Sequence, residues 1–208
     1  MRPARFISLE GGEGVGKSTQ LRALGAVFRA RGMEVVETRE PGGSPGAEAI
    51  RHMLLTGAAD RWSARAEALL FAAARADHVE KTIRPALQRG AWVLSDRFLD
   101  SSRAYQGMGE LTDEDILTLH RIGSAGFLPD RTFILMLPEG EAESRAHSRD
   151  GDGSDRIGGR DSAFHRRVSQ SFARFAAIEA DRVRPIDASG EAAAVTARLL
   201  RELEDLLP

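Results

Sequence analysis

The stretch that most constrains this chain is Gly11-Gly12-Glu13-Gly14-Val15-Gly16-Lys17-Ser18. Its pattern is G-x-x-x-x-G-K-[ST], the spacing of a phosphate-binding loop. Glycines let backbone N–H groups wrap an anion at φ values that a Cβ forbids. Lys17 supplies a compact positive charge for β- and γ-phosphates, and the Ser18 hydroxyl is a ligand for Mg2+. The motif carries meaning only between a strand and a helix. Arg5-Phe6-Ile7-Ser8-Leu9 before it is a short apolar run, and Leu21, Leu24, Val27 and Phe28 after it share one helix face. The helix therefore starts at the loop, with its positive end towards the anion.

The rest of the chain alternates in the same way. Apolar runs predict strands near 5–9, 34–38, 91–95, 131–137 and 184–187. Helical patterns lie between them: Ser44-Pro45 through Leu55, about Ala64 to Gln88, Thr112 through Ile122, Glu139 to Ala146, and about Ala163 to Ala180. A last helix carries Val195, Leu199, Leu200, Leu203 and Leu206. On the long helix, Leu69, Leu70, Ala73, Ala76, Val79 and Ile83 form the expected apolar face. Phe164, Val168, Phe172, Phe175 and Ile178 do so on the helix after residue 163. This alternation predicts an α/β fold of the P-loop NTPase class, a five-stranded parallel sheet flanked by helices. No repeat or linker divides residues 1–208, so one domain is expected. Residues 148–162 are almost bare of apolar side chains but carry Arg149 and Arg156. Beside a phosphate loop, such a segment reads as a mobile lid that closes over ATP and brings arginine to its phosphates.

Composition narrows the partners. Lysine and arginine total 29, aspartate and glutamate 31, so no basic field argues for nucleic acid. There is no cysteine, which excludes disulfides, thiolate nucleophiles and cysteine–zinc sites. No apolar run is long enough to span a membrane, and the N-terminus lacks the apolar segment of a signal peptide. A cytoplasmic protein is the simplest expectation. Only Lys17 and Lys81 are lysine; one of the two stands in the phosphate loop. The chain has no asparagine, so it lacks the N-K-x-D motif with which a GTPase reads guanine, and it has no second set of ATPase motifs.

Charged residues collect where strands end, the edge at which α/β sheets bind ligands. Asp96-Arg97 follows the third predicted strand, where a carboxylate can organise Mg2+ and an arginine can neutralise a transferring phosphoryl group. Arg39 ends the second. Ser102, Tyr105 and Gln106 fall at i, i+3 and i+4, a polar set suited to a base or sugar. Taken alone, Phe71 and Arg75 read as core plus snorkelling arginine, and Arg51 as a surface charge. Together these features fit phosphoryl transfer from ATP to a small anionic acceptor. A regulator using ATP as a switch is the rival from another class, supported only by the loop.

Five segments also resemble the bacterial thymidylate kinases: Gly11–Ser18, Thr38-Arg39-Glu40-Pro41-Gly42-Gly43, Phe71-Ala72-Ala73-Ala74-Arg75, Asp96-Arg97-Phe98 and Asp100-Ser101-Ser102-Arg103-Ala104-Tyr105-Gln106-Gly107. The resemblance implies ATP- and Mg2+-dependent phosphorylation of dTMP to dTDP, with a kinase for another (deoxy)nucleoside monophosphate as the alternative. It implies Glu13 near the acceptor's 3′-hydroxyl, and Arg39, Arg51 and Arg97 around its phosphate. It implies Phe71 stacked on thymine and Arg75 on its O4, with Ser102 and Gln106 at the base edge and Tyr105 against the 2′ position. Lys17, Asp96, Arg97 and the lid residues Arg149 and Arg156 are the implied catalytic set, and Ser18 and Asp96 the implied metal ligands. The family is usually homodimeric. Here the family's lid sequence departs at Gly158, where a Glu is common.

Overall fold

The computed structural model describes residues 4–138, 140–141 and 156–207. The helix expected over 139–146 and most of the predicted lid, with Arg149, lie outside the described residues. The elements are β1 (Phe6–Glu10), α1 (Lys17–Ala30), β2 (Val35–Arg39), α2 (Pro45–Leu55), α3 (Ala64–His78), a π-helical turn (Val79–Ile83), α4 (Arg84–Gln88), β3 (Trp92–Asp96), α5 (Leu99–Gln106), α6 (Asp113–Ser124), β4 (Arg131–Met136), α7 (Ser162–Ile178), β5 (Val183–Asp187) and α8 (Ala192–Arg201). All five predicted strands are present. They form one parallel sheet in the order β2-β3-β1-β4-β5.

The sheet is buried on both faces, so its strands read as near-continuous apolar runs. Ile7 and Leu9 point to one side with Leu24 and Phe28 of α1, Trp92, Leu94, Phe133 and Leu199. Phe6 and Val93 point to the other, with Ile83, Phe98, Leu99 and Ile116. A third cluster joins Ile134 and Val183 to Val168, Phe172 and Phe175 of α7. Buried Ser8 is a satisfied polar exception: it bonds Thr132 across β1 and β4 at 2.7 Å.

Helix ends follow their capping residues. Ser44, Ser63, Thr112 and Asp161 accept from the backbone N–H three residues on, starting α2, α3, α6 and α7. The helix expected over 64–88 is instead α3, a π-turn and α4. Pro85 cannot donate a backbone hydrogen bond, and the ladder widens just before it. The expected apolar face of α3 is also displaced. Leu69 is 56% exposed, and the buried stripe is Glu67, Ala68, Ala74, Arg75 and His78. Polar residues take this face because each finds an ionic partner in the site beneath it. Ile178, expected on the apolar face of α7, is likewise exposed, as is Ile122 on α6.

Candidate active site

A cavity of about 380 Å³ opens where β1, β2 and β3 end. One wall is the phosphate loop. Gly11 has φ 129, and a Cβ there would lie 2.5 Å from the Leu135 carbonyl oxygen, so only glycine lets the loop turn off β1. Gly16 also has a left-handed backbone; it precedes α1 without a side-chain cap. The N–H groups that open α1 are therefore left for a ligand.

Lys17 is buried, and its Nζ donates to the carbonyls of Gly11 at 3.2 Å and Gly12 at 2.6 Å. Burial, reinforced by the charge of Arg97, lowers its pKa to about 8. Ser18 Oγ donates to Asp96 Oδ2 at 2.5 Å, which brings the two implied metal ligands together. Both offer oxygen, the donor type Mg2+ prefers. Among the described residues no group of three or more His, Cys, Asp or Glu could hold a metal ion. The pair therefore fits an ion that completes its shell with phosphate oxygens and water.

Arg97 lies between the phosphate loop and the rest of the cavity. Its φ is 71, a strained value for a side chain this bulky. Three hydrogen bonds hold it there: Arg97 N to Leu9 O at 2.9 Å, Ser95 Oγ to Arg97 O at 2.7 Å, and Phe98 N to Glu10 Oε1 at 2.8 Å. Its guanidinium donates to Gly11 O and Ser101 Oγ, both at 3.0 Å, and pairs with Glu13 at 2.6 Å. It lies 5.1 Å from the Tyr105 ring centroid. Burial opposes its charge, but Tyr105, Glu13, Asp96 and Glu10 outweigh that and raise its pKa.

The opposite wall is aromatic and cationic. Phe71, Arg75, Ser102, Tyr105 and Gln106 line it, with Arg39 and Arg51 at its side. Arg75 is 3% exposed; it donates to Glu40 Oε2 and Ser102 Oγ, each at 2.7 Å. Glu40 also meets His78 at 3.0 Å. Burial pushes the Glu40 carboxyl up, but Arg75 and His78 prevail and hold it low. The Glu40–Pro41 peptide is cis. Arg51 donates to the Pro41 carbonyl at 2.8 Å, and Arg39 pairs with Glu48.

The cavity thus gathers Glu13, Gly14, Gly16, Lys17, Ser18, Arg39, Arg51, Phe71, Arg75, Asp96, Arg97, Ser102, Tyr105 and Gln106. Gly11, Gly12 and Val15 shape the loop without lining it. Arg156 differs from its expectation as a phosphate contact. Its side chain is 1% exposed and donates to Leu54 O, Ala59 O and Glu67 Oε2. Withdrawing it would take one of two arginine partners from the buried Glu67 carboxylate, a cost that favours the docked position.

Two carboxylates beneath the site, Glu10 and Glu67, have no local signal in the sequence; Glu40, on the cavity wall, lies in the Thr38–Gly43 segment, but nothing local there gives it a role. Glu10 accepts from Phe98 N and, at 2.5 Å, from Ser101 Oγ. Burial, then the nearby Asp100 charge, push its pKa up to about 8. A rule that buried acids under a strand end hold the next loop would have drawn attention to it.

The chemistry is that of a two-substrate site. An ammonium, a helix N-terminus and a Ser–Asp pair can hold a polyphosphate on one side. An aromatic ring and three guanidiniums can hold a second anionic, ring-bearing molecule on the other, with Arg97 between them. The family model for thymidylate kinase matches residues 9–199. The thymidylate kinase of Rhizorhabdus wittichii is 65% identical over 207 residues, covering 99% of this chain and all of that protein. That of Caulobacter vibrioides is 50% identical, with 93% of each chain covered. The crystal structure of thymidylate kinase from Ehrlichia chaffeensis superposes with a TM-score of 0.76 at 28% identity, over 97% of this chain and 98% of that one. With a match of this extent in sequence and in fold, the chain belongs to the thymidylate kinase family.

Proposed function

We propose that the enzyme transfers the γ-phosphoryl group of ATP to the 5′-phosphate of dTMP, giving dTDP and ADP. The observation that carries this reading is one cavity joining the phosphate loop to the Phe71–Arg75–Gln106 wall through Arg97. Lys17 and the first turn of α1 hold the ATP phosphates. Phe71 stacks on the base, Arg75 donates to its O4, and Ser102 and Gln106 meet its polar edge. Tyr105 crowds the 2′ position. Arg39 and Arg51 take the acceptor phosphate. Glu13 meets the 3′-hydroxyl and orients Arg97, which spans both phosphates and stabilises the charge passing between them. Ser18 and Asp96 would hold Mg2+, which would supply positive charge to the phosphates of ATP.

The lid supplies a further arginine, and Arg149 is our candidate for it. Arg156, locked on Glu67, anchors the end of the lid segment instead. We read the assembly as a homodimer. Its support is apolar surface on two packed helices, Leu69 on α3 and Ile122 on α6, with Leu128 just beyond α6. A cytoplasmic location, where ATP is at hand, follows from the reading; among the described residues no helix is long and apolar enough to cross a membrane.

The test is ADP release with dTMP, dUMP, dCMP and thymidine as acceptors. Turnover strictly dependent on dTMP supports the reading. Comparable kcat/KM for dCMP favours the alternative kinase, and acceptor-independent turnover favours the ATP switch.

A further inference from the structure

At the base end of the cavity one side chain has only half of its polar capacity in use. Gln106 is 8% exposed, and its Nε2 donates to Glu67 Oε1 at 3.0 Å. Its Oε1 is buried and has no hydrogen-bond partner among the described residues. A buried amide oxygen without a donor is unfavourable, so the site is complete only when a ligand brings one.

The orientation of that amide is dictated, because an ionised carboxylate can only accept hydrogen bonds. Gln106 must turn its NH2 to Glu67 and its oxygen away. Glu67 is itself 3% exposed and held by Arg156 Nη2 at 2.5 Å and Arg160 Nη2 at 2.8 Å. Burial alone would push its carboxyl up. The hydrogen bonds from Gln106 and Arg156, with the charges of both arginines, outweigh burial and keep it ionised.

We propose that Glu67 is a specificity-determining positioning residue: by fixing the Gln106 amide it makes the base end of the cavity a hydrogen-bond acceptor, which admits a pyrimidine bearing a ring N–H and rejects one bearing a ring-nitrogen lone pair. This rests on reading the cavity as the dTMP site. Glu67 does not line the cavity and acts through Gln106. Its two arginines lie at the C-terminal end of the expected lid, so base selection and that end of the lid share one carboxylate.

The test measures kcat/KM for dTMP and for dCMP in the wild type, Glu67→Gln, Gln106→Ala and the double variant, with thermal melting of each. A glutamine at 67 can either donate or accept, so Gln106 is free to flip. The dTMP:dCMP ratio then falls by about 10- to 100-fold, mostly through KM for dTMP. In the Gln106→Ala background the same substitution leaves the ratio unchanged to within about two-fold. An active Glu67→Gln enzyme whose ratio stays at the wild-type value, even with a lowered Tm, overturns the proposal. So does an equal fall of the ratio in both backgrounds. Should Glu67→Gln not fold, Glu67→Asp keeps the charge for the arginines but withdraws it from Gln106; an unchanged ratio there overturns the proposal as well. Wild-type enzyme that fails to phosphorylate dTMP removes the underlying reading, a distinct result.

Discussion

Arg97 sits in a left-handed backbone conformation and still makes four side-chain hydrogen bonds. Such strain persists only where surrounding contacts over-determine it. Removing this preorganised charge should lower kcat by about 10²–10³ in Arg97→Ala, with folding intact by circular dichroism. Steady-state kinetics at saturating ATP and dTMP check this, and unchanged kcat would remove Arg97 from the mechanism. Glu10 beneath it gives a pH prediction. Its folded pKa of about 8 stands above the ordinary 4.5. The folded chain keeps a proton that the unfolded chain releases, so this stabilisation is full below 4.5 and is lost as pH rises through about 8. Glu10→Gln cannot titrate, so its Tm should fall less than the wild type's between about pH 5 and about pH 8.5. Parallel Tm profiles would contradict the assignment. Lys17, Ser18, Asp96, Arg97 and Gln106 were legible because short motifs carry them. Glu10 and Glu67 were not, since their partners lie 88 and 39 residues away, and Glu40 was legible as part of a short segment but not as the partner of Arg75, 35 residues on.

Among the elements, α5 is tied to the turn between α7 and β5 by buried ions. Asp100 takes Arg103 at 2.9 Å and Arg182 at 2.7 Å, and both arginines reach Glu179. Burial pushes Asp100 up, but Arg182 and Arg103 overcome it and keep its carboxyl low. Arg182→Leu should destabilise the fold by about 3–5 kcal/mol, because a buried carboxylate loses half its counter-charge. Urea unfolding midpoints measure this; a loss under about 1 kcal/mol would class the pair with surface ion pairs. The order of strands and helices was readable from periodicity. The face of α3 was not, because a helix roofing a site buries Glu67, Arg75 and His78 and turns Leu69 outward. Periodicity reports which residues are apolar, and near a polar site that is not the set that is buried.

For the whole molecule, the same exposed leucine and Ile122 bear on assembly. Ile122 is 79% exposed, a large apolar side chain with no cover in the monomer. If a second copy covers it, Ile122→Arg should convert a dimer to a monomer, read by light scattering on a sizing column. A wild type that elutes as a monomer at micromolar concentration would end that assignment.

The uncapped start of α1 has its own consequence. α2, α3, α6 and α7 close their first turns with a side-chain oxygen; α1 begins after Gly16 with no such oxygen and no acidic residue in its first turn. ATP, when it arrives, finishes secondary structure that the polypeptide leaves incomplete. The Gln20 N–H already donates to Gly16 O, so it is the amide hydrogens at positions 16–19 that should exchange faster without nucleotide than with it. At about a hundred times its Kd, ATP should add about 2.7 kcal/mol to unfolding, so the melting temperature itself reports nucleotide occupancy.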